Sequence, residues 1–305
     1  MELLKAIENI RTPFLDSLFG VITRLGEQTI LIVVFCILFW CINKKMAYVM
    51  GIVFFMSSLL VQGLKIIFRV PRPWITGYPY FSPVGDALPE ATGYSFPSGH
   101  TQNAAAYLGA LGATLKPLWA KIILFALPVI VAFTRMYLGV HYLSDVLISL
   151  AITFGLIFIA VKVIADEPTC KKRELTIALV IVAVSIIVIA IAAVQHHGVF
   201  AYPSEARQLR DATRAAGAAI AFAIGYYVER VHIRFSVKTK NIFFQILKFA
   251  IGLGVTLGIQ EGARVLGDSL FPDAFRYFLM VVWIMIVYPI LIKKFFSAEA
   301  EHTND

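Results

Sequence analysis

The residues best suited to chemistry lie between two apolar segments, where His141 precedes Asp145 by four positions and follows Arg135 by six. Four positions are one helical turn, so the carboxylate of Asp145 can accept a bond from one imidazole nitrogen of His141. The other nitrogen is then left as a nucleophile or a base. The alternative is an ion pair at the junction of the two segments, and it also needs a partner because an isolated carboxylate is costly in an apolar setting.

A second cluster opens the preceding apolar segment, where the turn Ser98-Gly99 is followed by His100. A turn of this kind at a helix N-terminus offers free backbone N–H groups and a positive dipole end to an anion. His100 in the first turn would lie close to that anion. Taken alone, a helix cap beside an interfacial histidine is the simpler interpretation.

A third cluster holds two cations seven positions apart, Lys65 and Arg72. Seven positions are two helical turns, so both side chains project from the same side of a helix. Pro71 and Pro73 predict that the helix ends there. Basic side chains that anchor a helix end at a membrane interface would give the same pattern, and on this evidence the two interpretations are equal.

Composition defines the elements that must position these clusters. The chain has 305 residues, of which 59% are hydrophobic and 15% charged, and its mean hydropathy is +0.79. An average soluble domain has roughly 25% charged residues, so a soluble enzyme is excluded. The scattered Cys36, Cys41 and Cys170 indicate neither a disulfide framework nor a zinc site. The N-terminal residues do not resemble a signal peptide.

The apolar runs predict an all-α, polytopic membrane bundle of about nine spans, because a span needs about 20 mostly apolar residues. Residues 1–23 have apolar positions at helical spacing between charged ones, which predicts an interfacial helix before the first span. The predicted spans are 28–43, 46–69, 100–115, 118–138, 143–164, 174–195, 212–229, 242–260 and 276–292.

The net charge of +8 separates into two populations along these spans. Alternate loops share an excess of cations, namely Lys44, Lys45, Lys116, Lys121, Lys171, Lys172, Arg173, Arg230, Arg234, Lys238, Lys240, Lys293 and Lys294. The positive-inside rule makes that side cytoplasmic, with the N-terminus outside and the C-terminus inside a plasma membrane. No soluble basic domain remains to bind nucleic acid.

Alternation of the spans brings the three clusters to one membrane face, the outer one. Three cations, two histidines, a helix N-terminus and one carboxylate would meet there, with Arg69 as a further cation close by. Such a set is a phosphate-binding site with acid/base or nucleophilic groups attached. The loop 70–99, which is rich in proline and glycine, is predicted to be functional because of its length.

Three ordered motifs carry a family resemblance. They are Lys65-x6-Arg72-Pro73, then Pro97-Ser98-Gly99-His100, then Thr134-Arg135-x5-His141-x3-Asp145. Together they resemble the signature of the type 2 phosphatidic acid phosphatase superfamily, over roughly residues 60–150. Thr134 stands where that family usually has serine, and since both hydroxyls can donate, little consequence is expected.

The resemblance implies a role for each matching residue. His141 would be the nucleophile that forms a phosphohistidine, Asp145 would orient it, and His100 would be the general acid. The phosphoryl oxygens would be held by Lys65, Arg72, Ser98, Gly99 and Arg135. No metal and no cofactor is expected, since cations already neutralise the substrate.

The implied function is that of a membrane phosphatase for a lipid phosphate or diphosphate, with undecaprenyl diphosphate or a phospholipid phosphate as the first expectation. A sphingoid phosphate or a soluble sugar phosphate is the alternative within this class. A lipid transporter or flippase is the alternative outside it, although transporters usually carry midplane charges and repeats. A vanadate-dependent peroxidase, which shares this type of pocket, is disfavoured by the membrane spans.

The resemblance also divides the chain. Residues 1–196 would form a six-helix catalytic core together with the N-terminal helix, 197–295 a three-span extension, and 296–305 a cytoplasmic tail. Shaping of substrate access and a homodimer contact are both open as roles for the extension. Arg207, Arg210 and Arg214 recur at helical spacing within it, which fits contacts to lipid headgroups in general or to a substrate headgroup.

Overall fold

The computed structural model describes residues 1–76, 81–84, 93–164, 170–195, 203–262 and 270–296, and these residues form helices and connecting turns without a strand. The first seven helices are α1 Glu2–Glu8, α2 Pro13–Thr23, α3 Gln28–Ile37, α4 Lys44–Phe68, α5 Pro73–Thr76, α6 Gly99–Ala104 and α7 Ala110–Thr114. The next seven are α8 Leu118–Tyr137, α9 Leu143–Val163, α10 Lys171–Gln195, α11 Pro203–Val228, α12 Ile242–Gly262, α13 Leu270–Val282 and α14 Tyr288–Phe295. The all-α prediction is confirmed over these ranges.

The N-terminal segment differs from its prediction. One interfacial helix over 1–23 is wrong, because α1 ends at Glu8 and α2 begins at Pro13. Proline disfavours a helical conformation in the residue before it, and Thr12 is extended with φ −142° and ψ 153°. The Thr12 side chain then caps α2 by accepting a hydrogen bond from the N–H of Leu15.

Six helical segments of the described residues are long and apolar enough to cross a membrane. They are Lys44–Thr76, Leu118–Tyr137, Leu143–Val163, Lys171–Val194, Ile242–Gly262 and Asp273–Phe295. A seventh span results if Pro13–Gly26 and Gln28–Ile42, which meet at a bend of 49°, are taken together. The predicted number of nine is not confirmed. The predicted span 100–115 corresponds to a short helix, in which the π-helical turn Ala105–Gly109 joins α6 to α7. The predicted span 212–229 lies in α11, which carries charges through its first half.

The helix α4 is central to the packing. It contacts α6 and α9 on one side and α10 and α11 on the other, and α11 in turn packs on α13. Close approach of α4 and α11 depends on Gly51, since a Cβ there would lie 2.5 Å from Cε2 of Phe222. One apolar core therefore runs through both halves of the chain, and it includes Trp40, Tyr48, Phe222, Tyr226 and Tyr288.

The end of the bundle where α4 begins holds charged residues in direct pairs. Lys44 contacts Glu229 at 2.7 Å, and Glu174 contacts Arg173 at 2.6 Å and Arg230 at 3.1 Å. The hydroxyl of Tyr226 also donates to Glu174. We call this set the paired cluster, comprising Lys44, Arg173, Glu174, Tyr226, Glu229 and Arg230. Three of its members, Lys44, Arg173 and Arg230, come from the predicted cation-rich loops, which the structure thus brings together.

Candidate active site

His141 and Asp145 lie in contact at the other end of the bundle. The Nδ1 atom of His141 is 3.2 Å from Oδ2 of Asp145, and both side chains are buried. The predicted contact is therefore present, although its geometry differs from one helical turn. His141 lies in the turn before α9, and Asp145 is in the first turn of that helix, where it also accepts a bond of 2.9 Å from the N–H of Tyr142.

Ser95 is a member of this site that the sequence did not indicate. Its hydroxyl donates to Oδ2 of Asp145 and lies 3.5 Å from Nδ1 of His141. The side chain is fully buried. Its position two residues before Pro97 was the only available signal, and nothing in the residue type alone separates it from an ordinary loop serine.

The other imidazole nitrogen of His141, Nε2, faces a cation. It lies 2.9 Å from Nη1 of Arg72, which as a guanidinium can only donate. Nε2 is then the acceptor, and Nδ1 carries the proton that is shared with Asp145. Burial, followed by the charges of Arg72, Lys65, Arg135 and His100, lowers the pKa of His141 well below its usual range, so the ring is neutral.

The three predicted phosphate-binding cations are all buried at this end. Lys65 donates to the carbonyl of Tyr94, and Arg72 donates to the carbonyls of Gly93 at 3.2 Å and Val140 at 3.0 Å. Arg135 donates to the hydroxyl of Thr23 at 2.8 Å. These acceptors are carbonyl and hydroxyl oxygens, and the bonds orient the three cations at this end.

Thr23 is a second residue that the sequence did not indicate, and it reaches the site from the end of α2. Arg69, suggested as an additional cation, is exposed at the end of α4 and bonds to its own helix at Ile66. Thr134 is buried and donates to the carbonyl of Val131 at 2.7 Å, again within its own helix. The hydroxyl at position 134 thus stabilises local backbone, consistent with the small consequence expected of its replacing serine.

The N-terminus of α6 is fixed against α9. The N–H of Ser98 donates to the carbonyl of Asp145 at 3.1 Å, and the hydroxyl of Ser149 donates to the carbonyl of Ser98 at 2.9 Å. The Ser98 hydroxyl caps α6 by accepting from Thr101. The backbone N–H of Ser98 is thus used within the protein. The backbone N–H of Gly99 is therefore the better donor to a phosphate at this helix start.

Gly99 and His100 complete the set. A Cβ on Gly99 would meet no atom within 4 Å, so this first residue of α6 borders open space. The backbone and Cβ of His100 pack against Gly26. A Cβ atom added to Gly26 would lie 2.7 Å from the carbonyl oxygen of His100. The predicted residues at the ends of α4, α6, α8 and α9 therefore lie at one end of the bundle. The prediction that Lys65 and Arg72 share one helix is wrong, because α4 ends at Phe68 and Arg72 follows it. Parts of the loop 70–99, namely 77–80 and 85–92, lie outside the described residues.

Comparison with known proteins defines the class. The PAP2 superfamily matches residues 44–169, and the transmembrane extension of PAP2 superfamily phosphatases matches residues 213–300. Phosphatidylglycerophosphatase B of Bacillus subtilis (strain 168) is 32% identical over 47% of this chain and 72% of its own length. The chain belongs to the PAP2 superfamily and is a multi-span membrane phosphatase, a hydrolase of phosphate monoesters.

Two further proteins are similar to this chain. Undecaprenyl-diphosphatase of Sulfolobus acidocaldarius is 25% identical over 57% of this chain and 83% of its own length. A crystal structure of Aquifex aeolicus LpxE has 29% sequence identity and a TM-score of 0.46, and the match covers 53% of this chain and 93% of that one.

Proposed function

We propose that this phosphatase hydrolyses a lipid phosphate or diphosphate monoester through a phosphohistidine at His141. The observation that carries the proposal is the arrangement of that side chain. A buried neutral imidazole is held by Asp145 through Nδ1, its Nε2 lies 2.9 Å from Arg72, and Lys65 and Arg135 are buried at the same end. A nucleophile held in place beside fixed positive charge is what phosphoryl transfer requires.

Substrate binding would exchange neutral partners for phosphoryl oxygens. Lys65, Arg72 and Arg135 would turn from carbonyl and hydroxyl groups toward the phosphate, joined by the N–H of Gly99 and by Ser98. Arg72 has a further consequence, because its movement away from Nε2 of His141 frees the lone pair at the moment when phosphate arrives. Binding and activation of the nucleophile would thus be coupled.

The reaction then proceeds in two balanced steps. In the first, Nε2 of His141 attacks phosphorus, the bond to the leaving oxygen breaks, and His100 gives that oxygen a proton. In the second, His100 takes a proton from water, the oxygen of that water attacks phosphorus, and the P–N bond breaks to release inorganic phosphate. Asp145 and Ser95 would keep Nδ1 protonated and the ring oriented throughout.

The substrate that we favour is undecaprenyl diphosphate or a phospholipid phosphate. The names of the two curated relatives agree with a lipid substrate. The exposed apolar side chains of the bundle, such as Ile122, Ile186 and Phe243, place the protein in the bilayer where such a substrate resides. A sphingoid phosphate and a soluble sugar phosphate are the alternatives, and transport of a lipid without hydrolysis is the alternative outside catalysis.

We further propose that the site faces outward from the plasma membrane, with the N-terminus outside and the C-terminus cytoplasmic. The paired cluster and the cation-rich loops at the opposite end support this orientation. Residues 1–196 would act as the catalytic core, 197–295 as an extension and 296–305 as a tail.

The test is phosphate release by the purified full-length protein from undecaprenyl diphosphate, phosphatidic acid, phosphatidylglycerol phosphate, sphingosine phosphate and glucose 6-phosphate. Release from the lipid substrates is expected, with little effect of a chelator. The variant His141→Gln, checked for an unchanged elution profile, controls for contaminating phosphatases. Release from glucose 6-phosphate alone, or strong inhibition by chelator, would contradict the proposal.

A further inference from the structure

A cavity of about 250 Å³ lies between the two halves of the chain. One wall comes from α3, α4 and α6, and the other comes from α11, α13 and the π-helical turn that follows α13. The first three helices belong to the part of the chain that carries the phosphatase site. The others belong to the part of the chain matched by the transmembrane extension, residues 213–300, or directly precede it.

The two ends of this cavity differ in polarity. Near the end where α4 finishes and α11 starts, polar side chains line it, among them Gln62, Asn103 and Arg214. Further along the same helices, toward the bundle interior, the lining consists of aromatic and aliphatic side chains, among them Phe35, Phe54, Phe222 and Met285. The cavity thus has the polarity gradient of a lipid, with a polar end and an apolar depth.

The polar end is continuous with the phosphatase site. Gly99 and Gln102 on α6 line the cavity, and Gly99 lies between the site residues Ser98 and His100. Open space borders the position where a Gly99 side chain would be. A molecule that places its phosphate at the N-terminus of α6 can therefore direct its remaining atoms into the cavity.

The charges at the polar end are satisfied within the extension. Arg214 lies 3.2 Å from Asp211 and also pairs with Asp273, which contacts Arg276 at 2.9 Å. Gln208 bridges α11 to α4 by a bond of 2.6 Å to Gln62. Because its cation is neutralised, this end does not compete with the phosphatase site for a phosphate, and a substrate headgroup site at Arg214 is not supported.

We propose that the cavity between the core and the extension binds the hydrocarbon chain of the substrate while its phosphate occupies the site at His141. This inference rests on the proposed function and assigns the extension a role in selecting long-chain substrates. A soluble sugar phosphate would leave the apolar depth unfilled. A hydrocarbon chain would bury there, and each buried methylene favours binding by about fourfold.

The experiment varies chain length and cavity size together. A homologous series of alkyl phosphates, from short to long chains, is offered to the full-length protein in one detergent. Ala218 on α11 lines the cavity and is buried, so Ala218→Leu fills space that a chain would occupy. Ala250→Leu on α12 makes the same change at an exposed position that does not line the cavity and is the matched control. Comparing variants at each chain length cancels partition into the micelle.

The expected result is a loss confined to long chains. Displacing about two methylenes lowers kcat/KM of Ala218→Leu for a long chain by roughly 15-fold, while short-chain turnover and the control stay at the wild-type level. No loss at any chain length overturns the proposal, as does the same long-chain loss in the control. If Ala218→Leu loses short-chain turnover, Ala215→Leu, which lines the same wall, decides by the same criteria, and equal loss there also overturns it.

The outcomes separate this inference from the proposed function. If the wild type hydrolyses every chain length and the cavity variants keep the wild-type kcat/KM at each length, the chain-binding cavity is rejected. The proposed phosphatase mechanism is not affected by that result. Absence of phosphate release from the whole series and from the natural lipids would reject the lipid phosphatase itself, and the cavity proposal with it.

Discussion

The two charged ends of the bundle use similar side chains in opposite ways. In the paired cluster, the carboxylates of Glu174 and Glu229 contact Arg173, Arg230 and Lys44 directly, at 2.6–3.1 Å. At the site end, the carboxylate of Asp145 is held by the neutral groups of His141, Ser95 and the Tyr142 backbone. Among the described residues there, Lys65, Arg72 and Arg135 donate to carbonyl and hydroxyl oxygens.

This difference separates structural charge from functional charge. A carboxylate bound to arginine compensates the cation within the protein, and such a pair is a poor site for an incoming anion. A cation bound to a carbonyl keeps its charge, and it can exchange that neutral partner for a phosphate oxygen. Total charge does not distinguish the two ends, whereas the partners of the carboxylates at each end do.

The largest expected effect is at the carboxylate of the site end. Asp145→Asn keeps the size of the side chain but presents an amide to Nδ1 of His141, so the imidazole loses the acceptor that fixes its tautomer. We expect kcat to fall by about 10⁴-fold. Turnover of purified protein measures this, and retention of more than a tenth of wild-type activity would remove Asp145 from the mechanism.

Removing one site cation should have a smaller effect. Arg135→Gln takes away one donor that would face the charged transition state, and a loss of about 10²–10³-fold in kcat is expected. The variant loses the bond to the hydroxyl of Thr23, and thermal unfolding in detergent checks that it remains folded. A variant with wild-type kcat would show that Arg135 has only a structural role.

The matching change in the paired cluster should give the reverse result. Glu174→Gln leaves Arg230 and Arg173 without the carboxylate that compensates them, which costs about 3–5 kcal/mol for a buried pair. Denaturant unfolding in detergent should show this loss, while kcat of the folded fraction stays at the wild-type value. A fall in kcat comparable to that of Arg135→Gln would abolish the distinction between the two ends.

The smallest expected effect is on the pH profile. A nucleophilic histidine must be neutral, and burial together with Arg72, Lys65 and Arg135 lowers the pKa of His141. The acid limb of kcat/KM, which reports the free enzyme, should therefore lie below about 6.5, the ordinary histidine pKa. The profile is measured with a diphosphate substrate and with a monophosphate substrate. A limb that differs between the two belongs to the substrate phosphate, and a limb that both share belongs to the enzyme. An acid limb above 6.5 with both substrates would contradict the predicted direction.

Much of the site was predictable because its residues occur in motifs with fixed spacing. Positions at the ends of apolar segments predict that His141, Asp145 and Arg72 meet, and the structure brings these three into contact. Ser95 and Thr23 were not predicted, since each acts through one hydroxyl whose neighbours are distant in sequence. Such contacts depend on loop and helix placement that local pattern does not encode.

The fold was predictable where hydrophobicity and length agreed. The long apolar runs of α8, α9 and α10 form helices close to the predicted bounds. The number of spans differs from the prediction at two places. The helix that begins at Gly99 ends at Thr114 and is short for a span, and α11 begins with charged residues. The break between α1 and α2 could have been anticipated from Pro13.

The central claim is that phosphate is transferred to His141 at the end of the bundle that holds Lys65, Arg72 and Arg135. The most direct measurement is a single turnover with a lipid phosphate labelled in its terminal phosphoryl group, quenched in alkali and followed by mapping of the labelled peptide. The account predicts label on His141 in the wild type and none in His141→Gln. Label on a different residue, or wild-type labelling of His141→Gln, would contradict it.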